Sequence, residues 1–386
     1  MRRTAALPAE QFRARARSRL KAAGEVQVSI VELGWNDYFQ AHLSETGNEG
    51  RVPARIVSQH RGLWRVAGDF AECWAEACGS LRRVGENGAD WPAVGDWVSV
   101  ELGRAQSAAI IQRVLSRRTR FLRKAAGKQL AAQVIAANID LAVIVAGLDG
   151  DFNARRIERY VAQCWESGAR PVVVLNKADA CEARGPFVAE IERIAIGVQV
   201  FVVSAKAGEG VEALERTFSK GQTMVLLGSS GAGKSTLVNR LLHEDRQATN
   251  PVREKDCRGR HTTTSRQLFL LPCGALIVDT PGLRELQLWN ASGGLSQTFS
   301  DIDELARECR FRDCKHTGEP GCAVQAALAW VKLDSARLES RRKLEREQQF
   351  LERKFDPEIQ HAVKVRMRRV MRQVRKDYRE RDKGKR

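Results

Sequence analysis

The sequence predicts a multidomain α/β protein: a small β-barrel, then a central parallel-sheet domain, then a helical metal-binding region. Short β-like runs separated by turn residues fill residues 50–116, apolar runs alternate with amphipathic stretches over 134–290, and a Cys/His cluster follows residue 299. Because 386 residues exceed one ordinary core, we expect two or three domains. We place the segments at 1–49 (a basic N-terminal arm), 50–120 (barrel), 121–298 (α/β domain) and 299–386 (metal-binding region with a basic helical tail).

The composition favours a nucleic-acid partner. The net charge is +17, and positive charge on this scale attracts polyanions. No apolar run approaches the roughly 18–20 residues of a membrane span, and the basic N-terminus lacks the apolar core of a secretion signal. We therefore expect a cytoplasmic protein without a membrane partner. Nine scattered cysteines in such a protein favour a metal site over a disulfide framework.

The first domain is predicted to be an OB-fold that binds RNA. About five strands in about 65 residues, with Gly-containing turns between them, indicate a small barrel, and the OB-fold is a common basic example. A fragment of a generic sandwich is the alternative. The clearest runs are 52–57, 63–66, 97–100 and 109–114.

The second domain alternates strands with helices. Its near-continuous apolar runs are typical of parallel strands that are buried on both faces, and amphipathic stretches at 155–166 and 188–194 lie between them. The strand-like runs are 141–146, 172–175, 200–203, 224–227 and 276–278.

A phosphate-binding loop, GSSGAGKS, follows the run MVLL and opens an amphipathic stretch. The glycines let backbone N–H groups converge on phosphates at a helix N-terminus. Lys234 is predicted to contact the β- and γ-phosphates, and the Ser235 hydroxyl to bind Mg²⁺. The loop consists of Gly228, Ser229, Ser230, Gly231, Ala232, Gly233, Lys234 and Ser235.

Two further motifs at strand ends indicate guanine. Asn176-Lys177-Ala178-Asp179 follows PVVVL, and an ionised Asp179 accepts hydrogen bonds from guanine N1–H and from its exocyclic amine, which adenine cannot supply in that place. Ser204-Ala205-Lys206 ends another strand, where a backbone N–H can reach guanine O6. Each motif alone would fit an ordinary βα turn.

Asp279-Thr280-Pro281-Gly282 closes a fourth strand. We expect Asp279 to hold Mg²⁺ through water and the Gly282 N–H to contact the γ-phosphate. The preceding RGRHTTT segment would supply a switch threonine for Mg²⁺, for which Thr263 is preferred, with Thr262 and Thr264 open. The motifs therefore run NKAD, SAK, phosphate loop, HTTT and DTPG, a circular permutation of the Ras-like order.

A Cys/His cluster, C-x4-C-x-H-x5-C, is typical of a closed tetrahedral Zn²⁺ site. Its ligands would be Cys309, Cys314, His316 and Cys322. The alternative is a set of free thiols around a surface histidine. The remaining cysteines are interpreted as core or incidental thiols.

On the permuted order, the RHTTT switch and the Cys/His spacing, the sequence resembles the RsgA (YjeQ) family of ribosome small-subunit-dependent GTPases, from near residue 50 to near 330. The phrase AANID at 136–140 is also similar. The resemblance implies an OB-fold, a circularly permuted P-loop GTPase domain and a zinc domain. It further implies late maturation of the 30S subunit, contact with 16S rRNA, and hydrolysis that the subunit stimulates. By position, GTP contacts would come from Asn176, Lys177, Asp179 and residues 228–236, which end at Thr236.

The catalytic group is less well indicated than the binding residues. Leu283 follows DTPG where many GTPases place a water-orienting glutamine, so we expect a low intrinsic rate. His261 is the candidate to position or deprotonate water, with a structural loop histidine as the alternative.

We expect a monomer with one Zn²⁺, and Mg²⁺ with GTP. The rival functions are a P-loop ATPase or kinase, and an RNA-binding zinc protein whose nucleotide is structural. The basic arm and tail suit extra rRNA contacts or a solvated surface.

Overall fold

The computed structural model describes residues 28–44, 50–60, 62–84, 91–103, 108–124, 132–244, 266–279, 292–330 and 332–355. The strands are β1 (Val52–His60), β2 (Leu63–Gly68), β3 (Phe70–Ala77), β4 (Trp97–Glu101), β5 (Ala109–Val114), β6 (Arg120–Lys124), β7 (Ala132–Ala137), β8 (Leu141–Gly147), β9 (Arg170–Asn176), β10 (Gln199–Val202), β11 (Thr223–Leu227), β12 (Arg266–Leu270) and β13 (Leu276–Asp279). The α-helices are α1 (Asp37–Ser44), α2 (Gly79–Val84), α3 (Ala154–Ser167), α4 (Gly185–Ile194), α5 (Val211–Glu215), α6 (Lys234–Leu242), α7 (Ser292–Thr298), α8 (Ser300–Arg307), α9 (Ala323–Ala329) and α10 (Ser335–Phe355).

The first five strands form a closed barrel. Their order is β1-β2-β3-β5-β4, and β4 pairs back with β1 so that Val52 lies opposite Val100. The β3–β5 pairing is parallel and the others are antiparallel. Trp64, Trp97 and Ile111 fill the interior, each fully buried. This closure confirms the predicted barrel over the sandwich alternative.

The central sheet has the order β10-β9-β8-β11-β13-β12, in which only β12 runs antiparallel to its neighbour among these strands. Alternate residues of β8 enter different cores. Ile144 packs with Ile157 of α3 and Ile191 of α4, whereas Val143 packs on the other side with Leu237 of α6. The sheet is therefore covered by helices on both faces, as its continuous apolar strands predicted.

The barrel and the central sheet share one hydrogen-bonded surface. The end of β1 pairs antiparallel with β12, with Ser58 opposite Gln267, and the Arg266 guanidinium donates to Gln59 Oε1 over 3.2 Å. The two parts of the chain consequently form an eleven-stranded sheet within the described ranges.

The predicted N-terminal arm at 1–49 needs a correction in its second half. Residues 28–44 fold against the barrel, and α1 buries Phe39 and Leu43. The Trp35 ring meets Trp97 edge-on at 4.7 Å. Phe39 and Leu43 are four residues apart, which places them on one face of α1, and Trp35 precedes the helix at the same spacing. The strongly basic residues that precede them dominate the composition of 1–49 and mask this apolar signal; residues 1–27 lie outside the described part.

Arg55 joins this N-terminal segment to both domains. Its buried guanidinium donates to the carbonyl oxygens of Leu33 and Asn138, and to Thr223 Oγ1 over 2.7 Å. Burial lowers the Arg55 pKa to about 10, while the charges of Asp140 and Asp96 act to raise it. One side chain thereby connects the N-terminal segment, the barrel and the first residue of β11.

The C-terminal helices pack on α3. Gly294 allows close approach, because a Cβ there would lie 2.3 Å from the Ala162 carbonyl oxygen. Arg337 of α10 is buried between two carboxylates. It donates to Glu158 Oε1 of α3 over 2.8 Å and to Asp301 Oδ2 of α8 over 2.7 Å. Across the described helices, none is both long and apolar enough to cross a membrane.

Candidate nucleotide site and metal centre

The phosphate loop connects β11 to α6 through three glycines with positive φ: Gly228 (137°), Gly231 (83°) and Gly233 (90°). A Cβ on Gly228 would lie 2.1 Å from the Val145 carbonyl oxygen, so no other residue fits without displacing backbone. Lys234 curls over the loop and its Nζ donates to the Gly228 carbonyl oxygen over 2.8 Å. The loop thus aims a helix N-terminus and an ammonium group at one point, the arrangement that binds phosphates.

Asn176 connects this loop to the two guanine motifs. Its side-chain amide donates to the Ala232 carbonyl oxygen over 2.9 Å, and its Oδ1 accepts from the Ala205 N–H over 3.0 Å. The side chain is almost completely buried. Three segments that are distant in sequence are therefore held together by one buried amide.

Asp179 and Ser204 form the predicted guanine end of the site. The Ser204 hydroxyl donates to Asp179 Oδ1 over 2.5 Å and accepts from the Ala207 N–H over 3.0 Å. The bond from Ser204 is the main cause that lowers the Asp179 pKa, so the carboxylate stays ionised. An exposed, ionised carboxylate beside a strand end can accept the two donors of guanine.

Lys177 adopts the left-handed region at φ 64°. Its ammonium group forms an ion pair with Asp149, which follows β8. Ala178 begins the short 3₁₀ turn that carries Asp179, and its N–H donates to the Val203 carbonyl oxygen over 3.1 Å. The four residues of the NKAD motif are thus fixed by contacts on both sides.

Asp279 ends β13 beside the strand of the phosphate loop. The pairing of Val225 with Val278 places Asp279 next to the carboxyl-terminal half of β11. Ser235 and Thr236 lie in the first turn of α6, directly after the glycines. The structure therefore brings the NKAD, SAK, phosphate-loop and DTPG strands to a single edge of the sheet. His261, Thr263 and Gly282 lie outside the described residues.

The sheet order accounts for the permuted motif order. The NKAD strand β9 precedes the phosphate-loop strand β11 along the chain, yet β8 alone separates them in the sheet. The DTPG strand β13 lies on the opposite side of β11. Connectivity is therefore permuted while the spatial arrangement around the phosphate loop is that of one binding edge.

Four residues that support the site were not found by sequence reasoning. Arg184 donates to the Ala178 carbonyl oxygen over 2.9 Å and to Glu209 Oε1 over 2.5 Å. Arg240 of α6 donates to the Lys206 carbonyl oxygen over 2.7 Å. Asp149 and Asp151 contact Lys177 and Ser229, respectively. The acidic pair at the end of a strand was a usable signal, whereas no pattern singled out the two arginines.

The four predicted metal ligands converge in the C-terminal region. Cys309 Sγ lies 3.6 Å from His316 Nδ1 and 3.9 Å from Cys322 Sγ, and Cys322 Sγ lies 3.5 Å from His316 Nδ1. Together with Cys314 Sγ, the ligand atoms all lie within 4.8 Å of one another. Ligand atoms around tetrahedral Zn²⁺ are about 3.5–3.8 Å apart. The cluster therefore fits a closed tetrahedral site.

The loop that carries His316 is held by side chains around it. His316 has a positive φ of 58°, and its carbonyl oxygen accepts from Gln325 Nε2 and from the Arg342 guanidinium, the latter over 2.7 Å. The Glu319 carboxylate accepts from the N–H groups of Lys315 and Thr317 over 3.0 and 2.7 Å. These bonds fix the backbone between the second and fourth ligands.

Comparison with family models gives two matches. A model described as RsgA GTPase matches residues 114–289, and one described as ABC transporter matches 211–378. The two ranges overlap across the phosphate loop, which P-loop ATPases and GTPases share. Full-length relatives therefore decide between them.

Relatives named small ribosomal subunit biogenesis GTPase RsgA match most of the chain. The protein from Opitutus terrae is 45% identical over 353 residues, which is 89% of this chain and 96% of the relative. The protein from Syntrophotalea carbinolica is 44% identical, with coverage of 81% and 88%. Both matches extend well beyond the phosphate loop.

Two solved structures share the fold. The crystal structure of YjeQ from Thermotoga maritima gives a TM-score of 0.59 at 24% identity and covers 77% of this chain and 98% of that one. YloQ, a circularly permuted GTPase, gives a TM-score of 0.57 at 20% identity, with coverage of 79% and 97%. With 45% identity to a relative that it covers almost completely, this chain belongs to the RsgA family of circularly permuted GTP hydrolases.

Proposed function

We propose that the chain binds and hydrolyses GTP at the carboxyl edge of its central sheet. The observation that carries this proposal is the bonding of Asn176 to Ala232 and Ala205, which sets the Asp179 carboxylate at a fixed place relative to the phosphate loop. Asp179 and the backbone of the SAK segment select guanine. Lys234 and the N–H groups of the loop hold the phosphates.

Magnesium would be held by Ser235 and, through water, by Asp279. Thr263 and Gly282 would complete the contacts to the metal and to the γ-phosphate, and His261 would position the attacking water. This assignment rests on the motifs for the three residues outside the described ranges.

We further propose a role on the small ribosomal subunit. The relatives carry that role in their names, and the charge of +17 suits contact with 16S rRNA. The barrel at 50–120, the GTPase domain at 121–298 and the metal-binding region at 299–386 would dock together on the 30S subunit late in its maturation. The subunit would stimulate hydrolysis, and hydrolysis would release the protein, which acts as a cytoplasmic monomer.

Zinc is the metal that the Cys309, Cys314, His316 and Cys322 set favours. Three thiolates and one imidazole with no further ligand form a closed site, in which Zn²⁺ has a structural role. The bound metal would hold the loop of residues 309–322 against α9 and α10 and thus shape the C-terminal surface.

GTP turnover with and without purified small subunits, at two salt concentrations, tests the function. We expect slow GTP turnover by the protein alone and strong stimulation by small subunits. High salt should remove the stimulation, because each neutralised phosphate contributes roughly −0.7 to −0.9 to the slope of the logarithm of the binding constant against the logarithm of the salt concentration. Equal competition by ATP would instead favour an ATPase. Unchanged subunit binding and release in Lys234→Ala would favour an RNA-binding protein with structural nucleotide.

A further inference from the structure

Asp151 lies between β8 and α3 and contacts the phosphate loop directly. Its carboxylate accepts a hydrogen bond from the hydroxyl of Ser229, the second residue of the loop. Arg156, in the first turn of α3, donates to the same carboxylate over 2.9 Å and also to the Asp151 carbonyl oxygen. One acidic side chain therefore connects the loop to α3, and its charge is balanced by Arg156.

The first turn of α3 is itself fixed. Asn153 is the N-cap, and its Oδ1 accepts from the Arg156 N–H over 2.9 Å. Because the cap holds the backbone of Arg156 and Arg156 holds Asp151, the position of the carboxylate follows the position of the helix.

Two positions after Arg156 along α3, Glu158 is completely buried and accepts from three side chains. Arg155 donates to it over 2.9 Å, Arg337 over 2.8 Å and Ser340 over 2.7 Å. Arg337 and Ser340 belong to α10. A buried carboxylate with several partners is held firmly, since losing an arginine leaves its charge poorly compensated and losing the serine removes one donor.

Helix α10 also reaches the metal-binding loop. Arg342 donates to the His316 carbonyl oxygen over 2.7 Å, and Arg341 forms an ion pair with Asp303 at 2.5 Å. Side-chain contacts thus join the metal loop to α10, α10 to Glu158 of α3, and the first turn of α3 to the phosphate loop, and within α3 the two groups are connected by the helix itself.

We propose that Asp151 is a positioning residue for the phosphate loop, and that α3 makes its position depend on the docked helix α10. This inference rests on the proposed binding of GTP at that loop. The inferred connection joins the phosphate loop to the C-terminal region through α3 and α10, and it does not involve the switch segment.

The physical basis is the geometry that phosphoryl transfer requires. The triphosphate stays bound through Lys234 and the helix N-terminus, so loss of the Ser229–Asp151 bond affects affinity less than rate. The transferred group, however, must lie in line with the attacking water, and small displacements of the loop reduce the rate steeply. We therefore expect the rate of the chemical step to report on Asp151.

The experiment measures single-turnover GTP hydrolysis and the dissociation constant of a fluorescent GTP analogue, using the full chain. The first variants are Ser229→Ala, Asp151→Asn and the double variant of these two. Ser340→Ala and Arg337→Lys are then each made in the wild type and in Asp151→Asn. Glu212→Gln, at an exposed ion pair with Arg216 on α5, is the matched control. Ser340→Ala keeps Arg337 and its ion pairs, so we expect the C-terminal helices to stay folded in it; Arg337→Lys keeps the charge but loses several of the guanidinium bonds, and thermal unfolding measures the stability of both.

We expect Ser229→Ala and Asp151→Asn each to reduce the rate about tenfold, the size of a bond to a charged group, with affinity changed less. Hydrolysis by the double variant should be no slower than by the slower single variant. Ser340→Ala and Arg337→Lys should slow hydrolysis when made in the wild type and have no further effect when made in Asp151→Asn. Multiplying effects, or rates equal to Glu212→Gln, would overturn the inference while leaving GTP hydrolysis in place. Absence of GTP binding by the wild type would instead reject the proposed function.

Discussion

The side-chain amide of Asn176 donates to the carbonyl oxygen of Ala232 across 2.9 Å, although 56 positions separate the two residues. This bond joins the end of the NKAD strand to the middle of the phosphate loop. It sets the separation between the base-binding and phosphate-binding ends of the site, which a nucleotide must match.

Asn176→Ala removes both bonds of this buried amide. The Ala232 carbonyl and the Ala205 N–H then lose their partner, so we expect the free energy of unfolding to fall by about 1–3 kcal/mol. GTP affinity should fall more than tenfold because the two ends of the site become independent. Urea denaturation and nucleotide titration measure the two effects. Gln199→Ala on β10, an exposed site, is the control. If the two variants had the same free energy of unfolding and the same GTP affinity, the role of Asn176 would be contradicted.

Asp179→Asn should exchange base specificity. Asparagine offers a donor where the carboxylate only accepts, and xanthine carries an oxygen at C2 where guanine carries an amine. We expect weak binding of GTP and recovered binding of xanthosine triphosphate, measured by competition. Weak binding of both nucleotides would show that Asp179 acts through the fold of its loop.

Ser204→Ala should change the pH dependence of GTP binding. The Ser204 hydroxyl lowers the Asp179 pKa, so binding that needs the carboxylate is present above that pKa and is lost as the pH falls through it. Without the hydroxyl the Asp179 pKa rises, and the loss on acidification should begin at higher pH. Titration of a fluorescent GDP analogue across acidic pH measures this, with Glu212→Gln as control. An unchanged midpoint would contradict the assignment.

Cys309→Ser should abolish stoichiometric zinc. We expect about one Zn²⁺ per wild-type chain, and none after substitution or chelation, with melting of the C-terminal helices because metal binding is coupled to folding in such sites. Metal analysis and circular dichroism provide the measurements. Cys273→Ser, an exposed thiol outside the cluster, should keep the metal; retention by both variants would reject the site.

Arg337→Met should destabilise the contact between α10 and the GTPase domain. It leaves Glu158 buried without its main cationic partner, for which a cost of about 3–5 kcal/mol is expected. Arg216→Met removes an exposed pair and should change stability by less than about 1 kcal/mol. Thermal unfolding distinguishes them, and comparable melting temperatures would contradict a structural role for Arg337.

Local sequence patterns were sufficient for the barrel, the sheet and the residues at its edge. Apolar runs marked β8, β9 and β11 because these strands are buried on both faces, and glycine spacing marked the phosphate loop because its φ values require glycine. The Cys/His spacing likewise located a cluster whose atoms do converge.

Contacts between distant segments could not be predicted in this way. Arg55 and Arg337 are buried and polar, and in a sequence they resemble any surface arginine of a basic chain. Their partners, including Thr223 and Glu158, come from segments far along the chain. Residues 28–44 were assigned to a basic arm because the basic residues lie before them, and the three apolar residues spaced by four within them make only a short signal.

Through the pairing of β1 with β12, the barrel also covers part of what would otherwise be an edge strand of the central sheet. A fragment that begins after residue 120 would lack β1 and leave the outer backbone groups of Arg266 and Gln267, at the start of β12, without their strand partner. Such a strand is a template for joining another copy. Work on the catalytic half alone should therefore retain the barrel or expect self-association.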